Sequence, residues 1–164
     1  MALETIPGSV QTLENLLIIG TPTAANPLSV AALVAGTAKS LTYSLTPDGW
    51  DFPITESEIE DARLTAASVG SVMGRTKYGP INVTYVHGDA GDVAKAFLTP
   101  GTKVNLTIRD SISNATVPTI AQKADTVKVT CGKFRKVYSG DLQTIQQTLY
   151  VVAGSYVEGG TLVA

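Results

Sequence analysis

The residues able to do chemistry are few and scattered. His87 is the sole histidine and Cys131 the sole cysteine. His87 sits beside a strand end with Asp89 and Asp92 close by, so it could serve as a general base. No nucleophile accompanies it, and a plain turn histidine is the simpler reading. Cys131 closes the apolar-facing series Val127, Val129, Cys131, which suits a packed core thiol better than a reactive one. A lone cysteine permits no intramolecular disulfide, in keeping with folding in a reducing cytoplasm. The acidic stretch Glu56–Asp61 could attract a divalent cation, but it lacks the Asp/Asn spacing and mid-loop glycine of a calcium loop. Gly88-x-x-Gly91 precedes a helix, yet no third glycine and no Lys-Ser/Thr ending follow at phosphate-loop spacing. Lys133, Arg135 and Lys136, near Phe134 and Tyr138, form a small basic cluster. It suits a solvated loop or a salt-bridge site between subunits better than a nucleic-acid patch. No array of acid, base and nucleophile can be assembled, so neither an enzymatic activity nor a cofactor or metal is expected.

The elements that would position these residues are short, Thr-rich strands. Ile81–Val86, Val104–Ile108 and Thr126–Thr130 each alternate apolar and mostly polar side chains. That period marks a strand with one face in a core and one face wet. Residues 1–12 read as an arm, Leu13–Ile19 as a strand or buried segment, and Pro27–Gly36 as a short helix with Ser29 as its cap. Leu41–Leu45 reads as a strand ending at the turn signal Thr46-Pro47-Asp48-Gly49. Residues 54–65 are open to two readings. Thr55 with Glu58 has capping-box spacing, and propensity mildly favours a helix; a strand would instead put Glu56, Glu58 and Glu60 on one face. Ala66–Tyr78 reads as a long loop. If 54–65 is a strand, the whole becomes an extended hairpin. Asp92 should cap a helix from Val93 to Leu98. Residues 132–142 read as a basic, polar loop between strands Thr126–Cys131 and Ile145–Ala153, and the last strand falls at Tyr156–Val163. Many short strands with one or two small helices predict a mainly β, antiparallel sandwich or barrel-like fold in a single domain spanning 1–164.

Composition agrees with that class. The net charge is −2, so there is no bulk basic footprint for gripping phosphates. Met1–Gly8 lacks the basic start and apolar core of a secretory signal, and the apolar runs are too short to cross a bilayer, so no membrane partner is expected. The sequons at Asn82, Asn105 and Asn114 are then accidents of Asn and Thr sharing polar faces.

Several stretches, taken in order, carry a family resemblance. They are Val30–Gly36 leading to Leu41–Leu45 and Thr46–Trp50; Tyr78-Gly79-Pro80 leading to Tyr85 and the Gly88-Asp89 turn; Asp92-Val93-Ala94 leading to Gly101-Thr102 and Arg109-Asp110; and Gln122–Asp125, Val127–Gly132 and the ending Thr161–Ala164. In this order the chain resembles major tail proteins of long-tailed (siphovirus-type) bacteriophages, the tail tube subunits. The resemblance covers most of the chain. It implies a β-sandwich with a flanking helix, hexameric rings whose strands join into one barrel, and stacked rings that conduct DNA during ejection. The implied partners are further copies of the chain, a tape-measure protein, and tail initiator and terminator proteins. Double-stranded DNA would pass without specific binding. The implied location is the virion tail, after synthesis in the host cytoplasm.

The resemblance also implies a long hairpin loop against the neighbouring ring. Residues 66–78 fit by position and length, so Val69, Ser71, Val72, Met73, Arg75 and Lys77 become inter-ring contact candidates. A wet face of Thr and Asn would give DNA no strong hold. Asn105, Thr107, Thr126 and Thr130 are lumen candidates on that ground, with Lys103, Lys128 and Arg109 as discordant positives. If 54–65 is a strand, Glu56, Glu58 and Glu60 are lumen candidates that would repel phosphate. Two other readings stand beside this one. A carbohydrate- or surface-binding β-sandwich module would need an aromatic platform, for which only Trp50, Tyr43 and Tyr78 offer material. A virion decoration or head-completion protein would share the small β fold without forming tubes.

Overall fold

The computed structural model describes residues 12–61, 70–88, 92–139 and 141–164. A helical turn, α1 (Thr12–Asn15), leads into β1 (Leu16–Pro22), α2 (Val30–Leu33) and β2 (Lys39–Ser40). A 3-10 turn at Thr42–Ser44 precedes β3 (Leu45–Asp51), β4 (Ile54–Asp61), β5 (Gly70–Tyr78) and β6 (Ile81–Val86). Then come α3 (Val93–Phe97), β7 (Lys103–Asp110), β8 (Lys123–Ser139), β9 (Leu142–Val151) and β10 (Val157–Thr161). The main sheet has the order β2-β1-β7-β8-β9-β6-β3, with β10 also on β8, and every pairing is antiparallel. Among the described residues, β4 and β5 pair only with each other. The fold is therefore mainly antiparallel β with short helices. Its sheet ends at β2 and β3 and does not close into a barrel.

Two apolar clusters hold the sheet from opposite faces. Ile18, Leu106, Val129, Leu149 and Tyr85, from β1, β7, β8, β9 and β6, share one cluster with Ala94 and Leu98 beside α3. Leu17, Ile19, Leu33, Ala124 and Leu162 form the second, under α2 and the C-terminal segment. β1 is buried on both faces, which explains why Leu16–Ile19 is a continuous apolar run without alternation. Each fully buried Leu or Ile in these clusters stabilises by about 1.5–3 kcal/mol.

One buried side chain ties three elements together. The Gln147 amide donates to the carbonyls of Leu98 and Gly132, both at 2.8 Å. Its Oε1 accepts from the Tyr85 hydroxyl at 3.0 Å. Burial, with Cys131 and Asp92 adding, pushes the Tyr85 phenol far above its usual pKa and keeps it a neutral donor. Burial likewise raises the Cys131 thiol, against a Thr102 hydrogen bond that lowers it.

Several expectations are corrected. Of the two readings left open for residues 54–65, the strand is the one found over 54–61, where the acidic run pairs with β5 across one register shift. The expected 66–78 loop is mostly β5, and residues 62–69 lie outside the described residues. Leu41–Leu45 is a 3-10 turn that only then enters a strand, and the turn signal Thr46–Gly49 lies inside β3. There the register shifts between Leu45 and Trp50, an irregularity that accommodates Pro47 on an end strand. Gly49 is needed at that point because a Cβ would strike the Thr84 carbonyl. Residues 132–139 are not loop but the continuation of β8, hydrogen-bonded to β9. Neither predicted cap forms. Ser29 Oγ donates to the Ala164 carbonyl at 3.1 Å. Asp92 accepts from the Gly88 N–H at 2.8 Å and pairs with His87 Nδ1 at 2.7 Å.

Candidate functional site

The β4–β5 ribbon projects from the sheet as a two-stranded arm. Its base is closed by the Gly79 N–H bonded to the Pro53 carbonyl at 2.8 Å. Phe52, Tyr78 and Tyr156 pack there, with centroids 4.8 Å apart for the two tyrosines. Asp125 anchors the cluster, accepting from the Tyr156 hydroxyl at 3.2 Å and the Gly159 N–H at 2.7 Å. Burial first, then the Asp125 charge, pushes the Tyr156 phenol up to about 12. Beyond this base the arm has little support. Ile54, Ile59 and Met73 are exposed, Met73 at 69 %. A lone two-stranded ribbon is marginal in water, so side chains of this kind need a further surface.

A bulge sets the arm's geometry. The register shifts between Glu56 and Glu58, opposite Gly74 and Arg75. Ser57 Oγ fills the gap, accepting from the Arg75 N–H at 2.7 Å and donating to the Arg75 carbonyl at 3.3 Å. A Cβ on Gly74 would collide with Ser57 Oγ and approach the Ser57 carbonyl to 2.8 Å. On the arm, Ser71, Met73, Arg75 and Lys77 are exposed on β5, and Glu56 and Glu58 on β4. Glu60 and Val72 hold register positions there, pairing with Ser71 and Ile59, while their side chains lie outside the described residues. Val69 lies outside them altogether.

The other predicted lumen residues divide. Asn105, Thr107 and Thr126 are 3 %, 2 % and 4 % exposed. Asn105 Nδ2 donates to the carbonyls of Pro22 and Ala25, and Thr107 Oγ1 to that of Pro27. The face expected to be wet is thus covered by the segment after β1, because these side chains satisfy its backbone. Thr130 is half-buried. Arg109, read as a discordant positive, is buried and pins a loop: it donates to Gln122 Oε1 at 3.0 Å and to the Ser113 and Thr116 carbonyls at 3.0 and 2.8 Å. Burial among neutral acceptors lowers its pKa.

The wet strand face lies elsewhere, on β6, β9 and the distal part of β8. Asn82 pairs with Thr148 and Thr84 with Gln146, all pointing away from the core; the Thr148 hydroxyl donates to Asn82 Oδ1 at 3.2 Å. Lys133 and Arg135 line the same groove of about 330 Å³. Sequence reading missed this face because 132–142 reads as loop, although the alternation Thr144, Gln146, Thr148 was visible. His87, just past the end of β6 with its N–H on the Gln143 carbonyl, and Asp92 hold each other. The Gly88 N–H and His87 lower the Asp92 pKa. Among the described residues no cluster of three or more His, Cys, Asp or Glu could hold a metal. No described helix is long and apolar enough to cross a membrane.

Two surfaces thus stand out among the described residues, an exposed arm and a polar strand face, on a sheet with open ends. No curated protein matches the chain. A family model described as phage tail tube protein matches residues 4–164, nearly the whole chain. The chain belongs to the phage tail tube protein family, structural components of the phage tail.

Proposed function

We propose that the chain closes into hexameric rings, and that the rings stack into a tube through which DNA passes during ejection. The observation that carries this is the open sheet with its projecting arm. Among the described residues it has unpaired ends where strands of neighbouring copies can add, and an arm whose apolar side chains Ile54, Ile59 and Met73 are exposed. The arm supplies the contact to the next ring through Ser71, Met73, Arg75 and Lys77, with Val69 and Val72 beside them. The polar face of β6, β9 and β8 turns toward the lumen, with Thr130, Glu56, Glu58 and Glu60 around it. Neutral Asn, Thr and Gln side chains offer passing phosphates no lasting hold. Tape-measure, initiator and terminator proteins are the partners such a tube needs, and the virion tail is its place. The chain works as one 1–164 unit without enzymatic activity.

The glycan-binding alternative loses its platform. Trp50 is half-buried on the core, Tyr43 stands alone in the 3-10 turn, and Tyr78 is held in the Phe52–Tyr156 cluster. Negative-stain electron microscopy of the purified chain across a concentration series tests the proposal. Hollow rings or tubes of uniform width support it. Monomers at every concentration, together with binding on a glycan array, would replace it with the module reading.

A further inference from the structure

Among the described residues, two unpaired strand edges are opposite in charge. The first is the outer edge of β3 and β4, on the side away from β6 and β5. Residues 45–61 carry Asp48, Asp51, Glu56, Glu58, Glu60 and Asp61 and no Lys or Arg. The second is the distal part of β8. β7 pairs with β8 only as far as Thr130, and β10 only near its start, so among the described residues β8 is bonded from Lys133 to Ser139 on its β9 side alone. That stretch carries Lys133, Arg135 and Lys136 and no Asp or Glu; Asp141 lies beyond it in the turn. Among the described residues, none of the exposed Asp48, Asp51, Glu56, Glu58, Lys133, Arg135 or Lys136 makes an ion pair.

Direction and facing also match. The order β8-β9-β6-β3 alternates strictly, so β3 and β8 run antiparallel to each other. A β8 edge laid against the β3 edge of another copy continues the antiparallel pattern without a break. Asp51 pairs with Asn82, and Arg135 pairs with Gln146, which brings both onto the wet face at its two ends. On pairing, these charges become cross-strand neighbours on one face. Pro47 lacks an N–H, which limits pairing on β3 to Asp48–Asp51 and its continuation into β4.

We propose that the acidic β3–β4 edge of one copy pairs with the basic Lys133–Ser139 edge of a second copy, and that charge selects this lateral contact. This rests on the ring reading above and names the surfaces that close it. It also accounts for the cations on a face turned to DNA, because the neighbour's carboxylates neutralise them.

The test compares the wild-type chain with D48K/D51K, K133E/R135E and all four substitutions together, by sedimentation and electron microscopy, with circular dichroism as the check on folding. Each exposed ion pair contributes little, but reversal turns attraction into repulsion, so each half-reversed chain should need a concentration at least about tenfold higher to polymerise. The fully reversed chain restores complementarity and should polymerise near the wild-type concentration. Folded half-reversed chains that assemble like wild type, or a fully reversed chain that fails like them, overturn the edge assignment while leaving the ring reading intact. Loss of duplex-oligonucleotide retention in K133E/R135E with polymerisation unchanged would assign the basic edge to nucleic acid instead. A wild-type chain that stays monomeric removes the ring reading, and the edge pairing with it.

Discussion

Gln147 offers the sharpest test of how the sheet is held in shape. Replacing it by Leu keeps an apolar body of similar size at a site only 3 % exposed. The change removes three hydrogen bonds and strands the Tyr85 hydroxyl and the carbonyls of Leu98 and Gly132. An unsatisfied buried polar group costs about 1–3 kcal/mol. Taking the lower half of that range for each of the three and crediting about 1 kcal/mol for the extra apolar burial leaves a net loss of about 2–5 kcal/mol. For a chain of this size that corresponds to a fall in Tm of roughly 4–20 °C. Urea unfolding followed by Trp50 fluorescence reads the change, since Trp50 is the sole tryptophan and packs on the same cluster. Tyr85→Phe should cost about 1 kcal/mol alone and much less when Gln147 is already Leu. A loss below about 1 kcal/mol for Gln147→Leu, or strict additivity of the two changes, would refute the claim that this amide is the clamp.

Three further outcomes are expected. Gly74→Val should shift global stability by no more than about 0.5 kcal/mol, because the arm stands outside the core, yet abolish tube formation by displacing Ser57 from the bulge; a melt and a micrograph check both. Arg109→Lys should lose about 2–4 kcal/mol and open residues 111–122 to limited proteolysis, since a single ammonium cannot reach all three acceptors. The depressed Asp92 pKa means that its contribution to stability is complete above the ordinary carboxylate range and disappears as pH falls through the folded-state value. Asp92→Asn should therefore flatten the acid limb of a stability–pH profile, and an unchanged limb would show that the His87–Gly88–Asp92 contacts carry no such linkage.

Much of the sheet was legible because its period is local. Ile81–Val86 and Val104–Ile108 declare their inward faces by alternation alone, and Val127-Val129-Cys131 continues the same pattern. What failed depended on partners distant in sequence. Asn105 and Thr107 look wet until the carbonyls of 22–27 fold over them. Residues 54–61 look mildly helical because propensity ignores β5, whose pairing decides the matter. Thr46–Gly49 reads as a turn because Pro and Gly also serve irregularities in end strands. The arm candidates on β5 were singled out by length and position, whereas the polar face was legible on Ile81–Val86 but not on β8, where 132–142 carries charge in place of alternation.

The basic stretch of β8 has a consequence for the chain before it meets a neighbour. A bare edge of seven residues, Lys133–Ser139, spans roughly 23 Å and would ordinarily invite a second identical edge to zip onto it. Three like charges on that edge make such self-matching costly, while leaving it open to anything acidic. The subunit therefore carries its own solubiliser. A crowded pool of newly made copies is kept from clumping edge to edge, and only a differently charged edge is offered a place.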